Sequence, residues 1–530
     1  MMKLYSALAR ALAGYRVDVM FGLIGDANLF MVHSFVHEQD GRYIGAVHEA
    51  GATLMAFGYA DLTGKLGVAT VTHGPALTNT LTGLVEGVRG RAPMLLIAGD
   101  TGTRSRTNIQ DIAQRDVVLP TGAGFEQART PDTALDDLAI AIRRALVERR
   151  PVVFNVPSDF MQAEVEFHEV PLGLPEEQRI QPDPAALSRA ADRIGEAVRP
   201  VVLAGRGAIA SHAAVLRLAE RIGAPVATTL KARDLFRGEP FALGITGGVG
   251  TPANQEIIES ADLVISFGAG LNPYTTRNGT LTAGDRVLTV DTDPQARPDV
   301  LADSGAAADA LVDLLDRRST LPTVFRSTVT PAVDELGDRP STAPGTVDVE
   351  IALRRLDEVL PAHRVVVSDG GRFMMESLRF ISVDDPRDFV LPANFGSIGL
   401  GMGTAIGAAA ADLSRTTVMV CGDGGFMHGG ITEFSTAVRE DLDLIVVVCN
   451  DGGYGAEHIQ FVRRGLDPGL SLFAWPDLAR VAEAHGGEAF TVRDTDDLEQ
   501  VSKVIANRNR PLLIDLRLDV EHIASMPSHG

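Results

Sequence analysis

A chain of 530 residues is too long for one hydrophobic core, so two to four domains are expected. Its 45% hydrophobic and 22% charged residues describe a globular protein, and no apolar run reaches membrane-spanning length. A formal net charge of −21 speaks against nucleic acid, whose phosphates reward basic surfaces, and leaves small molecules as the favoured partners.

In chain order, "MMKLYSALARALAGYRVDVM" predicts an amphipathic helix rather than a signal peptide, because it lacks a long apolar centre and a small-residue cleavage site; the expected location is the cytoplasm. Strand-like runs then alternate with helical stretches: "LGVATV", "PMLLIAG", "RPVVFNVP", "RPVVLAG", "ADLVISFG", "DRVLTVD", "HRVVVSDG", "TTVMVCGDG", "LDLIVVVCN" and "RPLLIDLRLD". Short Val- and Ile-rich runs separated by helices indicate parallel sheets buried on both faces, the α/β class. Two proline-rich polar stretches, "AEVEFHEVPLGLPEEQRIQPDPAALS" and "RRSTLPTVFRSTVTPAVDELGDRPSTAPGTVD", read as linkers. Three doubly wound domains result, at 1–165, 185–320 and 345–530. The first and third each close on an arginine-proline strand, a weak internal repeat that suggests two related domains flanking a different one.

The stretch "TTVMVCGDGGFMHGGITEFSTAVREDLDLIVVVCNDGGYG" places Asp423 in the glycine turn after one strand and Asp451 in the turn after the next. Turn chemistry alone accounts for either residue. As a pair they suit cation binding. Two adjacent strand ends can hold a magnesium or calcium ion, with Asp451 or Asn450 as second oxygen ligand and a carbonyl of Gly452 or Gly453 as third. The only cysteines, Cys421 and Cys449, lie beside these turns and support neither a disulfide framework nor a zinc site. "CGDGGF", "LAGRGAIASH" and "SFGAGLNPYTT" miss the GxGxxG spacing of a dinucleotide fold, and no Walker loop occurs.

"GDGGF" from Gly422, followed after a helix and a strand by "NDGGYG" from Asn450, resembles the thiamine diphosphate signature of the acetolactate synthase and pyruvate decarboxylase superfamily. "VMFGLIGDANL", "VHEAGATLMAFGYAD" and "TVTHGPALTNTLTGLVEGVRGRAPMLLIAGD" resemble that family's pyrimidine-binding domain, and "NFGSIGLGMGTAIGAAAA" the segment that leads into its diphosphate-binding domain. The resemblance spans nearly the whole chain and implies a pyrimidine-binding, a central and a diphosphate-binding domain. Its cofactors are thiamine diphosphate and Mg2+.

The resemblance also implies roles. Glu49 contacts a pyrimidine ring nitrogen and promotes the imino tautomer; removal of the thiazolium C2 proton then gives an ylide that attacks a 2-oxo acid, leading to an enamine. Such a carboxyl belongs in a dry pocket, and Leu54, Met55 and Phe57 follow it on the same helix. Taken alone, Glu49 is an ordinary glutamate near a helix start. Asp423 becomes the magnesium ligand, beside Gly422, Gly424 and Gly425, which let the diphosphate approach the backbone. The helix between the turns is one residue longer than usual: counting from Asp423 favours Asn450 as second ligand, whereas matching "NDGGYG" favours Asp451 with the Gly453 carbonyl and Tyr454 following. Ile398 matches the aliphatic wedge between the cofactor rings, and Gly396 offers its carbonyl to the aminopyrimidine.

"GLIGDANL", with Gly25 and Asp26, resembles the decarboxylase form of the first loop, in which the aspartate moves protons at the reacting carbon. His73 and Gln114 are further active-site candidates; a turn aspartate, a loop histidine and a surface glutamine are the plain alternatives. "GAGLNPYTTRNGT" lacks the acidic pair of an "RFDDR" type segment and has Arg277 out of register, and no tryptophan follows the second turn in "NDGGYGAEHIQFVRRG". Both departures count against FAD and acetolactate formation. The expectation is a decarboxylase or carboligase acting on a 2-oxo acid, with an aldehyde or ketone as any acceptor. A true acetolactate synthase and a noncatalytic cofactor-binding relative stand as alternatives. Because the family builds its site between subunits, a homodimer or homotetramer is implied.

Overall fold

The structure, a computed structural model, describes residues 1–176, 178–332 and 342–522; part of the second expected linker, 333–341, lies outside them. Three six-stranded sheets organise the chain. The first contains β1 (Val19–Gly22), β2 (Arg42–Gly45), β3 (Gly67–Val71), β4 (Met94–Asp100), β5 (Gly124–Gln127) and β6 (Pro151–Pro157), in the order β2-β1-β3-β4-β6-β5. The central sheet contains β7 (Pro200–Ala204), β8 (Val226–Thr228), β9 (Ala242–Ile245), β10 (Leu263–Phe267), β11 (Val287–Asp291) and β12 (Val300–Leu301), in the order β9-β8-β7-β10-β11-β12. The last contains β13 (Arg364–Ser368), β14 (Phe389–Val390), β15 (Thr416–Gly422), β16 (Leu444–Asn450), β17 (Glu488–Val492) and β18 (Leu512–Arg517), in the order β14-β13-β15-β16-β18-β17.

All ten strands expected from apolar runs are present, and the described pairings within the sheets are parallel. Burial explains their composition: every residue of β16 is buried, so alternation with polar residues would leave charges inside. Counted within each domain, the first and last sheets share one strand order, second-first-third-fourth-sixth-fifth, while the central sheet runs third-second-first-fourth-fifth-sixth. The shared order is the structural counterpart of the faint repeat in sequence. The N-terminal segment is helical in α1 (Leu4–Gly14), with Leu4, Leu8 and Leu12 on its buried face, whereas Val19 and Met20, included in the expected helix, begin β1. No helix of the described residues is long and apolar enough to cross a membrane.

Two compact units emerge, one holding the central sheet and the other both outer sheets. Inside the latter, α2 (Glu49–Thr63) and α3 (Gly401–Ala411) are apolar around nearly their whole circumference and pack on each other. Small residues make this possible: a Cβ on Gly58 would strike the Thr404 carbonyl, and one on Gly407 the Met55 carbonyl. Close approach of these backbones fixes the helix that begins with Glu49 against the helix that follows Ile398.

Candidate active site

β15 and β16 pair with Gly422 opposite Cys449, so their turns leave the sheet side by side. Asp423 is only 1% exposed, and its Oδ2 accepts from the Gly453 amide at 2.9 Å and the Trp475 indole N–H at 2.7 Å. Burial, with the Asp451 carboxylate as the second cause, pushes its carboxyl up to about 7. Asp451 is likewise raised by burial, opposed by the Arg372 guanidinium 3.3 Å away. One buried and one largely buried carboxylate that repel each other, with one guanidinium beside them, form a donor set suited to a divalent, oxygen-seeking cation. Among the described residues no three His, Cys, Asp or Glu side chains gather for a metal, so a site here would complete its sphere with main-chain and ligand oxygens.

The segment after Asp423 does not form one regular helix. A turn at Asp423–Gly425 passes into a π-helical stretch, Phe426–Gly430, before α-helix resumes at Phe434. A π turn takes in one residue more than an α turn, which is how the longer connection read in sequence reaches β16. The Asn450 amide is turned into the sheet: its Nδ2 donates to Asp515 Oδ1 at 2.8 Å, and its Oδ1 accepts from the Gly452 amide at 3.3 Å. Tyr454 lies along Gly424, where an added Cβ would sit 2.6 Å from the ring; Tyr454 packs on Phe473, which stacks on Trp475.

The segment with Gly396 and Ile398 is tied down by two carboxylates absent from the sequence-derived site. Asp369, fully buried after β13, accepts from the Gly370 amide at 2.7 Å and the Gly399 amide at 3.0 Å. Burial lifts its carboxyl to about 6 against the opposing pull of these amides and those of Leu400 and Gly401. Glu86, fully buried in the first domain, accepts from the Asn394 amide at 3.0 Å and the Phe395 amide at 2.8 Å. Gly396 has φ +81°, which only glycine adopts without strain, and half-buried Ile398 lies beside Gly370.

A reciprocal tie holds the start of α2. Glu433, 2% exposed in the last domain, accepts through Oε1 from the Val47 amide at 2.9 Å and the His48 amide at 3.0 Å, directly before Glu49. Burial raises its carboxyl too. Each outer domain thus lends a buried glutamate to the backbone that enters the other's candidate element. Glu49 is 9% exposed, and its Oε2 accepts from Asn79 Nδ2 at 3.0 Å.

The three further candidates of the first domain converge on the tripeptide Thr72–Gly74 that follows β3. Thr72 Oγ1 donates to Asp26 Oδ1 at 2.9 Å and lies 3.3 Å from Nδ1 of buried His73; the Gly74 amide donates to Gln114 Oε1 at 2.7 Å. Gly25 donates its amide to Asn28 Oδ1 at 2.8 Å, which shapes the loop carrying Asp26. Gln114 is not a surface residue: it is 4% exposed, and its Nε2 donates to the Gly99 carbonyl at 2.8 Å and to Asn155 Oδ1 at 2.5 Å. Trp475, the single tryptophan, was a compositional signal that spacing within the second turn could not place, because it arrives from a later loop.

These buried acids give the protein a pH signature. An unfolded aspartate ionises near 4, whereas Asp423 in the fold does so near 7, so its stability contribution is complete below pH 4 and is lost as pH rises towards 7. Asp369 and Glu433 act with the same sign. A cation bound between Asp423 and Asp451 relieves the cost of their ionised forms. The expected result in differential scanning fluorimetry is a larger stabilisation by Mg2+ with thiamine diphosphate at pH 8 than at pH 5.5; equal shifts would remove the cation from this corner.

The chain matches three family profiles: "Thiamine pyrophosphate enzyme, N-terminal TPP binding domain" over residues 2–119, the corresponding central domain over 187–315 and the C-terminal TPP binding domain over 369–516. It is 27% identical to a probable acetolactate synthase large subunit of Methanocaldococcus jannaschii, covering 100% of this chain and 94% of that protein. It is 29% identical to a probable 2-ketoarginine decarboxylase of Pseudomonas aeruginosa over 96% of this chain and 93% of the relative, and 28% identical to a sulfoacetaldehyde acetyltransferase of Alcaligenes xylosoxydans xylosoxydans over 91% and 87%. The fold matches a thiamine diphosphate-dependent 4-hydroxybenzoylformate decarboxylase of Rhodococcus jostii with a TM-score of 0.79 at 21% identity, over 98% of this chain and 99% of that one.

Proposed function

This chain belongs to the thiamine diphosphate-dependent superfamily of acetolactate synthases and pyruvate decarboxylases, and on that basis we propose a Mg2+-dependent enzyme that decarboxylates a 2-oxo acid and protonates the product or passes it to an acceptor carbonyl. The observation that carries the reading is the pair at adjacent strand ends, buried Asp423 and largely buried Asp451, each carboxyl raised by desolvation. When bound, thiamine diphosphate supplies a nucleophilic carbon and an electron sink for the pair left by carbon dioxide.

The chain's own residues take the remaining roles. Asp423, Asp451 and the Gly453 carbonyl hold the cation; Asn450, whose amide serves Asp515, supports the sheet instead. Gly422, Gly424 and Gly425 admit the diphosphate to the backbone, with Tyr454 walling the turn. Ile398 and the Gly396 carbonyl hold the ring geometry, kept in place by Asp369 and Glu86. Glu49 exchanges a proton with a pyrimidine nitrogen, its helix start held by Glu433. His73 and Asp26, joined through Thr72, handle the proton at the reacting carbon, and Gln114 orients the turn between them.

Residues 1–165, 185–320 and 345–530 serve as the pyrimidine, central and diphosphate domains, and a second copy of the chain completes each site. No flavin is assigned: Arg277 is in left-handed backbone geometry and pairs with Glu259 at 2.7 Å, which supports a structural use of that segment. The test is carbon dioxide release from a panel of 2-oxo acids by the protein loaded with thiamine diphosphate and Mg2+, with and without acceptor aldehydes. Release with one acid is expected. Aldehyde as the product makes it a decarboxylase and a longer ketol a carboligase, whereas no release from any acid by cofactor-loaded protein overturns the proposal.

A further inference from the structure

At the ends of β4, β6 and β5, with β4 next to the strand that leads to His73, the first domain opens a cavity of about 370 Å³. It adjoins the candidate catalytic turn at Gln114, which lines the cavity and also accepts from the Gly74 amide next to His73. From Gln114 a polar relay runs inward. Gln114 Nε2 donates to Asn155 Oδ1 at 2.5 Å, and Asn155 Nδ2 donates to Asp100 Oδ2 at 2.6 Å and to Gln127 Oε1 at 2.7 Å. Asn155 is 1% exposed, so its amide orients these acceptors rather than meeting water.

Asp100 is half-buried in the cavity wall. Among the described residues its oxygens accept only from the Asn155 amide and the Thr101 amide, the latter at 2.8 Å, and no cation pairs with it. Asp111 and Asp116 line the same cavity, against Arg115 as its one cationic side chain. A half-buried carboxylate with neutral donors on one side and open space on the other favours a ligand that brings both charge and N–H groups. Resting on the reading of this site as one for 2-oxo acids, we infer that the cavity receives the donor's side chain and selects one ending in a guanidinium or ammonium group. Gln127 and Ser105 add acceptor oxygens around Asp100, as a multi-donor cation requires.

The test pairs turnover with a binding measurement that needs no chemistry. With the holoenzyme, kcat/KM for 5-guanidino-2-oxopentanoate is expected to exceed that for neutral 2-oxooctanoate, of similar length, by about tenfold or more, with 2-oxoglutarate poorest. By calorimetry the unreactive probe 5-guanidinopentanoate should bind more tightly than octanoate by a similar factor. Asp100→Asn, which retains an acceptor for Asn155, should erase both preferences at an unchanged melting temperature. Equal binding of the two probes, or a preference for 2-oxoglutarate, overturns the inference even if the enzyme decarboxylates other acids. Absence of carbon dioxide from every acid, with the cofactor bound, strikes the 2-oxo acid reading, and the calorimetric comparison still decides the cavity.

Discussion

Glu49→Gln is expected to lower kcat for carbon dioxide release by about 10²–10⁴-fold, the span of a lost acid-base group, while thiamine diphosphate and Mg2+ still bind. Glutamine preserves volume at a site 9% exposed, and its amide oxygen can still accept from Asn79. It cannot give or take a proton. The loss should therefore fall on the chemical step, with the cofactor's affinity, followed by calorimetry, held within a few-fold. Full turnover in the variant would remove Glu49 from its role, and loss of cofactor binding would recast it as a binding residue. The position is well isolated for such a test, because the backbone entering Glu49 is held independently by Glu433 through Val47 and His48.

Gly407→Ala is expected to cost stability, as is Gly58→Ala across the same contact, because the new Cβ meets the Met55 carbonyl of α2, which is backbone rather than a movable side-chain tip. Overpacking of this kind costs roughly 1–3 kcal/mol, and more where backbone must yield. Chemical denaturation reads the cost directly. Alanine is otherwise the better helix former, so an isolated α3 would gain from the change and only the helix contact can make it unfavourable. A stability equal to or above that of the parent would show that α2 and α3 do not approach as described. If the variant folds, the same shift moves Glu49, and kcat should fall although the substitution lies outside the active-site turns.

The way the two outer domains meet underlies both effects, and no short stretch of the chain encodes it. The β15 and β16 turns were legible because a strand, a glycine turn and an acid are contiguous in the chain; Glu49, Gly396 and Ile398 were singled out only by the resemblance of their short motifs and, taken alone, read as a helix-start glutamate, a turn glycine and a core residue. Glu86, Asp369 and Glu433 were not legible. Glu86 and Glu433 act on backbone far away in sequence, Glu433 on residues some 385 positions earlier, and a carboxylate that accepts two amides has no local pattern to announce it. The choice between Asn450 and Asp451 was open for a related reason. One extra residue between the turns shifts the count, and the sequence does not show the π turn at Phe426–Gly430 or the donation from Asn450 Nδ2 to Asp515, the observations that support the proposal of Asp451.

The α/β class, the strands and the candidate catalytic turns follow from local sequence, because periodic burial and turn stereochemistry are properties of a few consecutive residues. Assembly of the sheets is what buries Gln114 near His73, brings Trp475 to Asp423 and sets Asp100 in a cavity wall with no cationic partner among the described residues. Those facts depend on desolvation and on distances between segments remote in the chain, and neither quantity exists until the sheets have come together.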